Sequence, residues 1–210
     1  MREMNIIKDL HTKTERNYYE RMTPDKPACM RAARKFGKAF FDGDRCFGYG
    51  GYKYDGRFRP VARALIDMYG LDENSKILDF GCAKGFLMHE FTEVLILKHP
   101  CRGMDVSEYA KKSYVVEGMS EVWPDGELDL VVSLGTLHNL TLPELKVKLQ
   151  LMEKTAKHKY ITVDSYRNVK ELFNLQCWTL TCEQFLRPHE WEFLFKEWGY
   201  TGDYEFLFFK

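Results

Sequence analysis

Asp79-Phe80-Gly81-Cys82-Ala83-Lys84-Gly85 carries the strongest chemical pattern in the chain. A short apolar run, Ile77 to Phe80, holds an acidic residue, and small residues then follow at alternate positions. Where a strand hands over to a helix, removing side-chain bulk lets a ligand lie against bare backbone at the helix N-terminus. The spacing separates ligand classes. A dinucleotide fingerprint of the G-x-G-x-x-G type places its third glycine five residues after the first. Here Gly81, Ala83 and Gly85 alternate, which argues against an NAD-dependent oxidoreductase.

A second carboxylate, Asp105, ends the next apolar run, and its two oxygens match a vicinal diol such as a ribose. Further strand ends offer Ser133 to Asn139 and Asp164 to Arg167. His138 is the candidate for proton chemistry, because histidine titrates near neutrality and serves as a general base for a hydroxyl nucleophile. A nucleophile that is already anionic needs no base. His138 would then orient it, beside Lys53, Arg57 or Arg167. A satisfied loop histidine with no catalytic role is the bland alternative. His89, His99, His158 and His189 fall on helix faces or turns and read as structural.

Tyr49-Gly-Gly-Tyr52-Lys53-Tyr54-Asp-Gly-Arg57 mixes glycines, aromatics and two cations. Its glycines forbid a stable helix, so it reads as a binding loop that presents Tyr49, Tyr52, Lys53, Tyr54 and Arg57 to a substrate. A glycine-rich linker pinned down by its tyrosines is the competing account.

These residues need a frame, and the hydrophobic pattern supplies one. Upstream of residue 60, the stretch Met4 to Met22 is polar with scattered apolar positions, and Ala28 to Phe41 predicts one helix. Pro60 to Tyr69 predicts a helix with proline in its first turn and Gly70 as its stop. Phe86 to Lys98 predicts a largely buried helix, Cys101 to Met104 a strand, and Ser107 the cap of the helix after it. Leu128 to Leu134 is apolar enough for a buried parallel strand. Thr141-Leu-Pro-Glu144 is a capping box that opens a helix to about Lys157. Tyr160 to Val163 is the next strand, Pro188 to Trp198 a helix closed by Gly199, and Tyr204 to Phe209 the final strand. Strands alternating with helices from residue 76 onward imply a mostly parallel sheet covered on both faces.

The 210 residues fit one large domain or a core with a cap. Lys plus Arg equal Asp plus Glu at 31 each, so no global field draws the chain to nucleic acid or an anionic membrane. No apolar run reaches membrane-spanning length and no secretory leader opens the sequence, so the expected location is cytoplasmic. Six cysteines include no C-x-x-C pair, which gives no zinc site and suggests reduced thiols.

The acidic-x-Gly-x-Ala-x-Gly turn, the acidic residue after the second strand, and Asp129-Leu-Val-Val-Ser-Leu134 resemble the class I S-adenosylmethionine-dependent methyltransferases over roughly residues 60 to 210. The resemblance implies an α/β, Rossmann-like doubly wound sheet, mostly parallel with an antiparallel final strand. A helical and Gly/aromatic cap, residues 1–59, would precede the methyltransferase domain, residues 60–210. It implies S-adenosyl-L-methionine held by Asp79, Gly81, Ala83, Gly85, Ser133 and Leu134, with Asp105 on the ribose. Met104 and Val106 would flank the adenine. Many family members carry an acidic residue for the adenine amine where this chain has Met119, and Glu117 or Ser120 could substitute. The acceptor would be a small molecule met by His138, Asn139, Tyr166, Arg167 and the Tyr49–Arg57 loop, in a monomer or homodimer. A narrower likeness, carried by Tyr49–Arg57, His138-Asn139-Leu140 and Gly199–Tyr204, is to small methyltransferases of bacterial surface-polysaccharide gene clusters. That likeness implies transfer to an oxygen of a sugar, sugar nucleotide, or phosphoryl or phosphoramidate group. N-methylation of a small metabolite, or a non-catalytic cofactor-binding partner, are the alternatives. Nucleic-acid substrates are disfavoured. The chain lacks the Asp/Asn-Pro-Pro-Tyr/Phe sequence of amino-group DNA methyltransferases, and its one Pro-Cys pair, Pro100-Cys101, precedes the second strand.

Overall fold

Residues along each predicted strand divide between two faces, and a computed structural model shows what covers them. It describes residues 1–22, 25–112 and 122–210. Met119, Glu117 and Ser120 lie outside the described residues. Five strands form one sheet in the order β2-β1-β3-β4-β5: β1 (Ile77–Phe80), β2 (Arg102–Met104), β3 (Leu128–Leu134), β4 (Ala156–Ser165) and β5 (Asp203–Phe208). Nine helices accompany them among the described residues: α1 (Lys8–Thr12), α2 (Lys26–Ala33), α3 (Lys38–Asp42), α4 (Arg59–Tyr69), α5 (Phe86–Leu95), α6 (Glu108–Lys111), α7 (Leu142–Thr155), α8 (Val169–Trp178) and α9 (Pro188–Glu197).

Alternate positions on the strands point to opposite cores. Leu78, Val131, Ile161 and Phe206 pack with Leu145 and Leu149 of α7 and with Trp191 and Phe195 of α9. Ile77, Leu130, Val132 and Tyr160 pack on the other face against Val61 and Leu65 of α4 and Leu87 and Phe91 of α5. Each of these large apolar side chains contributes roughly 1.5 to 3 kcal/mol by leaving water, and that burial fixes the register of the sheet.

Strand order reverses between β1 and β3, because β2 lies on one side of β1 and β3 on the other. The loops leaving β1 and β3 therefore part above the sheet and open a crevice at its carboxyl edge, the usual ligand position in this architecture.

Two expectations change, and one helix is added. All four strand pairings are parallel, so the final strand is not antiparallel: Tyr160 to Ser165 of β4 match Asp203 to Phe208 of β5 in rising register. The reason is the connection, since α8 and α9 form a crossover that carries the chain back to the starting end of the sheet. The single helix expected over Ala28 to Phe41 is two, because Phe36 turns left-handed at φ 46° and Gly37 is extended. The sequence pattern also passed over α8, whose Asn168 side chain accepts a hydrogen bond from the Glu171 N–H at 3.0 Å.

The amino-terminal residues lie along the edge of the sheet. Met4 N–H donates to the Tyr204 carbonyl at 2.7 Å, Tyr204 N–H donates to the Arg2 carbonyl at 3.0 Å, and Ile7 enters the core beside α4. The buried Glu205 carboxylate receives the N–H groups of Ile6, Ile7 and Lys8 and the hydroxyl of Tyr160 at 2.6 to 3.0 Å. An edge that would otherwise expose unpaired backbone is thereby covered, and residues 8 to 22 are directed across the carboxyl end of the sheet.

Candidate functional site

The turn after β1 is held open by backbone geometry. Gly81 has φ 82°, and a Cβ there would come within 2.0 Å of Thr136 Oγ1 from the loop after β3. Ala83 accepts a left-handed φ of 49°, and Gly85 one of 77°, which starts α5. A left-handed alanine costs on the order of 1 kcal/mol and needs outside support. Asp105 supplies it: its Oδ2 accepts the Ala83 N–H at 2.8 Å, while Oδ1 accepts the Ser107 N–H at 2.8 Å. Each oxygen keeps a second lone pair.

Asp79 differs from Asp105 in having no hydrogen-bond partner among the described residues, although it is only 3% exposed. Burial, with the Asp105 charge second, pushes its pKa up to about 8. Burial also raises Asp105, against the pull of its two backbone N–H donors. The two carboxyls border a cavity of about 660 Å³ that Gly81, Ala83, Met104, Val106, Leu134 and Gly135 also line. Ser133 stands apart from it, fully buried, with its hydroxyl on the Phe80 carbonyl at 2.8 Å. Gly85 likewise shapes the turn without lining the cavity.

A roof covers this turn. Lys84, only 7% exposed, places its ammonium 2.6 Å from Asp42 of α3 and donates to the Tyr52 carbonyl at 2.9 Å. The Tyr109 hydroxyl reaches the same Asp42 carboxylate at 2.7 Å, and the Tyr52 ring stacks on Phe86 at 4.7 Å. Lys84 and Asp42 were not singled out in the sequence; the lysine's place inside the glycine turn is the signal that was there to find.

A second cavity, about 420 Å³, adjoins the first, and Tyr49, Tyr52, Leu134, Gly135 and Asn139 line both. Its floor holds His138 and Asp164. The Asp164 N–H donates to His138 Nδ1 at 3.2 Å, and Nε2 lies 3.3 Å from Asp164 Oδ2. Both ring nitrogens are thus committed to one residue at the end of β4. Burial raises the Asp164 carboxyl's affinity for a proton, with His138 and then Arg16 pulling the other way. Asn139 bridges the loop, donating to the Gly135 carbonyl at 3.2 Å and accepting from the Thr181 hydroxyl at 2.8 Å.

Of the expected acceptor residues, Tyr49, Tyr52, Lys53, Arg57, His138 and Asn139 line this second cavity. Arg57 is already paired with Asp55. Tyr54 turns away to the Glu90 carboxylate at 2.8 Å, Tyr166 is buried beneath Arg187, and Arg167 pairs with Glu171 on α8. None of these three borders either cavity. Their place is taken by Arg16, Arg21, Arg45 and Trp178, which sequence reasoning missed because they come from separate segments with no shared period.

No protein-family model matches the chain, and no curated protein does. Solved structures do. The chain resembles the putative methyltransferase complexed with the Trm112 methyltransferase activator of Haloferax volcanii (TM-score 0.52, 14% identity, 68% of this chain and 67% of that one). It also resembles an S-adenosylmethionine-dependent methyltransferase from Archaeoglobus fulgidus (TM-score 0.51, 20% identity, 67% and 68%). A putative methyltransferase from an antibiotic biosynthesis pathway of Anabaena variabilis is similar too (TM-score 0.51, 17% identity, 65% and 59%). At these identities the likeness establishes the Rossmann-like methyltransferase fold.

Proposed function

We propose that the chain is a cytoplasmic S-adenosylmethionine-dependent methyltransferase that methylates a small molecule on oxygen. The observation that carries this reading is the pair of adjoining cavities at the carboxyl edge of the sheet, one ending in Asp79 and Asp105, the other in His138 and Asp164. The first fits the cofactor on three counts. An unpartnered buried carboxyl, Asp79, suits an ammonium group; Asp105 has lone pairs for a ribose diol; and Gly81 leaves the space a Cβ would fill. S-adenosylmethionine, when bound, supplies a methyl group activated by a positively charged sulfur.

The chain's own residues do the rest. The shared wall at Leu134 and Gly135 would set the two ligands side by side, and holding nucleophile and electrophile together is the main source of acceleration in such a displacement. The Lys84–Asp42 ion pair ties α3 to the turn after β1, and the Tyr49 and Tyr52 rings line both cavities. Asp164 receives the proton of a hydroxyl acceptor, because the one free lone pair of neutral His138, on Nδ1, already accepts the Asp164 N–H and its Nε2–H faces the Asp164 carboxylate. His138 positions that carboxylate, and the burial that raises the Asp164 pKa brings it closer to operating pH.

The resemblance to surface-polysaccharide methyltransferases supports a sugar, sugar nucleotide, or phosphoryl or phosphoramidate compound of glycan biosynthesis as acceptor. Calorimetric titration tests the cofactor: S-adenosylhomocysteine should bind saturably and NAD should not. Binding of NAD without S-adenosylhomocysteine would overturn the assignment.

A further inference from the structure

Three arginines converge on one indole in the second cavity. The guanidinium carbons of Arg16, Arg21 and Arg45 lie 5.2, 5.2 and 4.7 Å from the centre of the Trp178 ring. They come from the stretch after α1, the stretch before α2, and the turn after α3. None of the three forms an ion pair among the described residues, whereas Arg2, Arg34, Arg57, Arg59, Arg167 and Arg187 each sit on a carboxylate and the other unpaired arginines, Arg31, Arg63 and Arg102, are exposed to solvent.

Neutral groups hold the trio in place. Arg16 donates to the His11 and Thr14 carbonyls and to His11 Nδ1; Arg21 donates to the carbonyls of Trp178, Arg45 and Gly48; Arg45 donates to those of Gly48 and Tyr49. This leaves donors over. The Arg16 Nε–H is buried with no partner, the one such side-chain atom among the described residues, and no acceptor among those residues meets Arg45 Nε or Nη2. Burial with the charge of Arg45 holds Arg21 down to about 10, and burial with the charge of Arg21 holds Lys26, just outside, down to about 8. Three cations around one ring repel one another, and a buried N–H without a partner costs roughly 1 to 3 kcal/mol. An arrangement of this kind persists where a ligand completes it.

We infer that Arg16, Arg21 and Arg45 form a binding site for a multiply charged oxyanion, a phosphoryl group carried by the methyl acceptor. Guanidinium forks match phosphate oxygens in pairs, and three of them suit a dianion better than a single carboxylate. The site shares its cavity with Asp164 and His138, so the phosphoryl group anchors the acceptor while another oxygen of the same molecule meets the methyl group. This assignment of the acceptor rests on the methyltransferase reading, but the anion site itself stands on the arginines alone.

The test is calorimetric titration of the whole protein with inorganic phosphate and, separately, with acetate. Phosphate should bind saturably and at least tenfold more tightly than acetate. Arg16→Gln and Arg45→Gln should each weaken it at least tenfold, while Arg63→Gln, which removes an exposed charge on α4 away from the cavity, should leave it unchanged. Titration of each variant with S-adenosylhomocysteine checks that it is folded. No phosphate binding by the wild type, or equal binding by all variants, overturns the anion site. Tighter binding of acetate overturns the phosphoryl assignment and makes the ligand a carboxylate. If phosphate behaves as expected and S-adenosylhomocysteine fails to bind the wild type, the cofactor reading falls and the anion site remains.

Discussion

The two cavities sit on the same sheet edge yet are built by opposite means. The polar end of the cofactor cavity is made by one short turn and the strand end beside it, with residues 36–58, the loop after β3 and α7 closing the rest: Asp79, Gly81 and Ala83 are near neighbours in sequence, and Asp105 is bound directly to that turn. The acceptor cavity gathers residues from at least four distant segments, namely the stretch after α1, the turn after α3, the loop after β3 and the end of α8. Their charge differs as well. The first is lined by four acidic residues, Asp79, Asp105, Glu108 and Glu144, against two lysines, with Asp79 pushed up to about 8; the second is lined by Arg16, Arg21, Arg45, Arg57 and Lys53 against Asp164. A ligand with a cationic end suits the first, and an anionic one the second. The contrast teaches that local backbone sets where the common ligand goes, while the specific one is chosen by segments laid across it.

The largest effect should come from breaking the acceptor side alone. Asp164→Asn keeps the shape but removes the carboxylate that His138 holds, and a general base is worth about 10² to 10⁴ in rate. Turnover, read as S-adenosylhomocysteine released in the presence of the acceptor, should fall at least a hundredfold with cofactor affinity unchanged. His138→Asn should do nearly the same, because it releases Asp164 from its position. Two variants with wild-type turnover would mean that the acceptor oxygen is itself anionic and that the pair is structural.

A smaller effect should come from the cofactor side. Asp105→Ala removes both the ribose contact and the support for the left-handed Ala83, so S-adenosylhomocysteine affinity should fall at least tenfold while phosphate binding is untouched. Loss of both together would show that the two cavities are not separable. The proton count of binding gives a finer probe. Asp79 is mostly protonated at pH 7 in the free protein, since its pKa stands at about 8, and an ammonium group beside it would make it ionise. Binding of S-adenosylhomocysteine at pH 7 should therefore release close to one proton, seen as a dependence of the calorimetric enthalpy on the buffer's ionisation heat. No release would separate Asp79 from the ligand.

How much of this was legible follows the same division. The β1 turn, Asp105, β3 and the capping box of α7 stand in contiguous sequence, where propensity and spacing act within a few residues, and each was found where expected. The direction of β5 was not legible, because strand direction depends on the path of α8 and α9 and not on the strand's own residues. The start of α8 was available in Asn168-Val-Lys-Glu171, an Asx residue followed at the third position by Glu. Arg16, Arg21 and Arg45 had no such mark: what distinguishes them from the other arginines is their convergence on the one Trp178 ring in three dimensions, which no local pattern encodes.

The smallest expected effect compares the two cavities through acid stability, without ligand. In the cofactor cavity, Asp79 has a folded pKa of about 8 against an ordinary value of 3.8 in the unfolded chain. Between those limits the native state holds a proton that the unfolded chain lacks, so its contribution strengthens as pH falls. Beside the acceptor cavity, His11 is the reverse. Burial, then the charge of Arg16, lowers it from 6.5 to about 4, with Nε2 donating to the Phe208 carbonyl and Nδ1 accepting from Arg16. Here the unfolded chain takes up the extra proton, so its contribution weakens as pH falls from 6.5 toward 4. Across that shared window the two slopes oppose each other, each of up to about 1.4 kcal/mol per pH unit. Asp79→Asn should therefore leave His11 unopposed, and its unfolding free energy should drop relative to wild type as pH goes from 6.5 to 4.5. His11→Gln keeps a donor for Phe208 and an acceptor for Arg16 but cannot titrate, and its stability relative to wild type should rise over the same range. Denaturant melts of the three proteins at several pH values check both signs, and parallel pH profiles for all three would show that neither group is perturbed by its cavity.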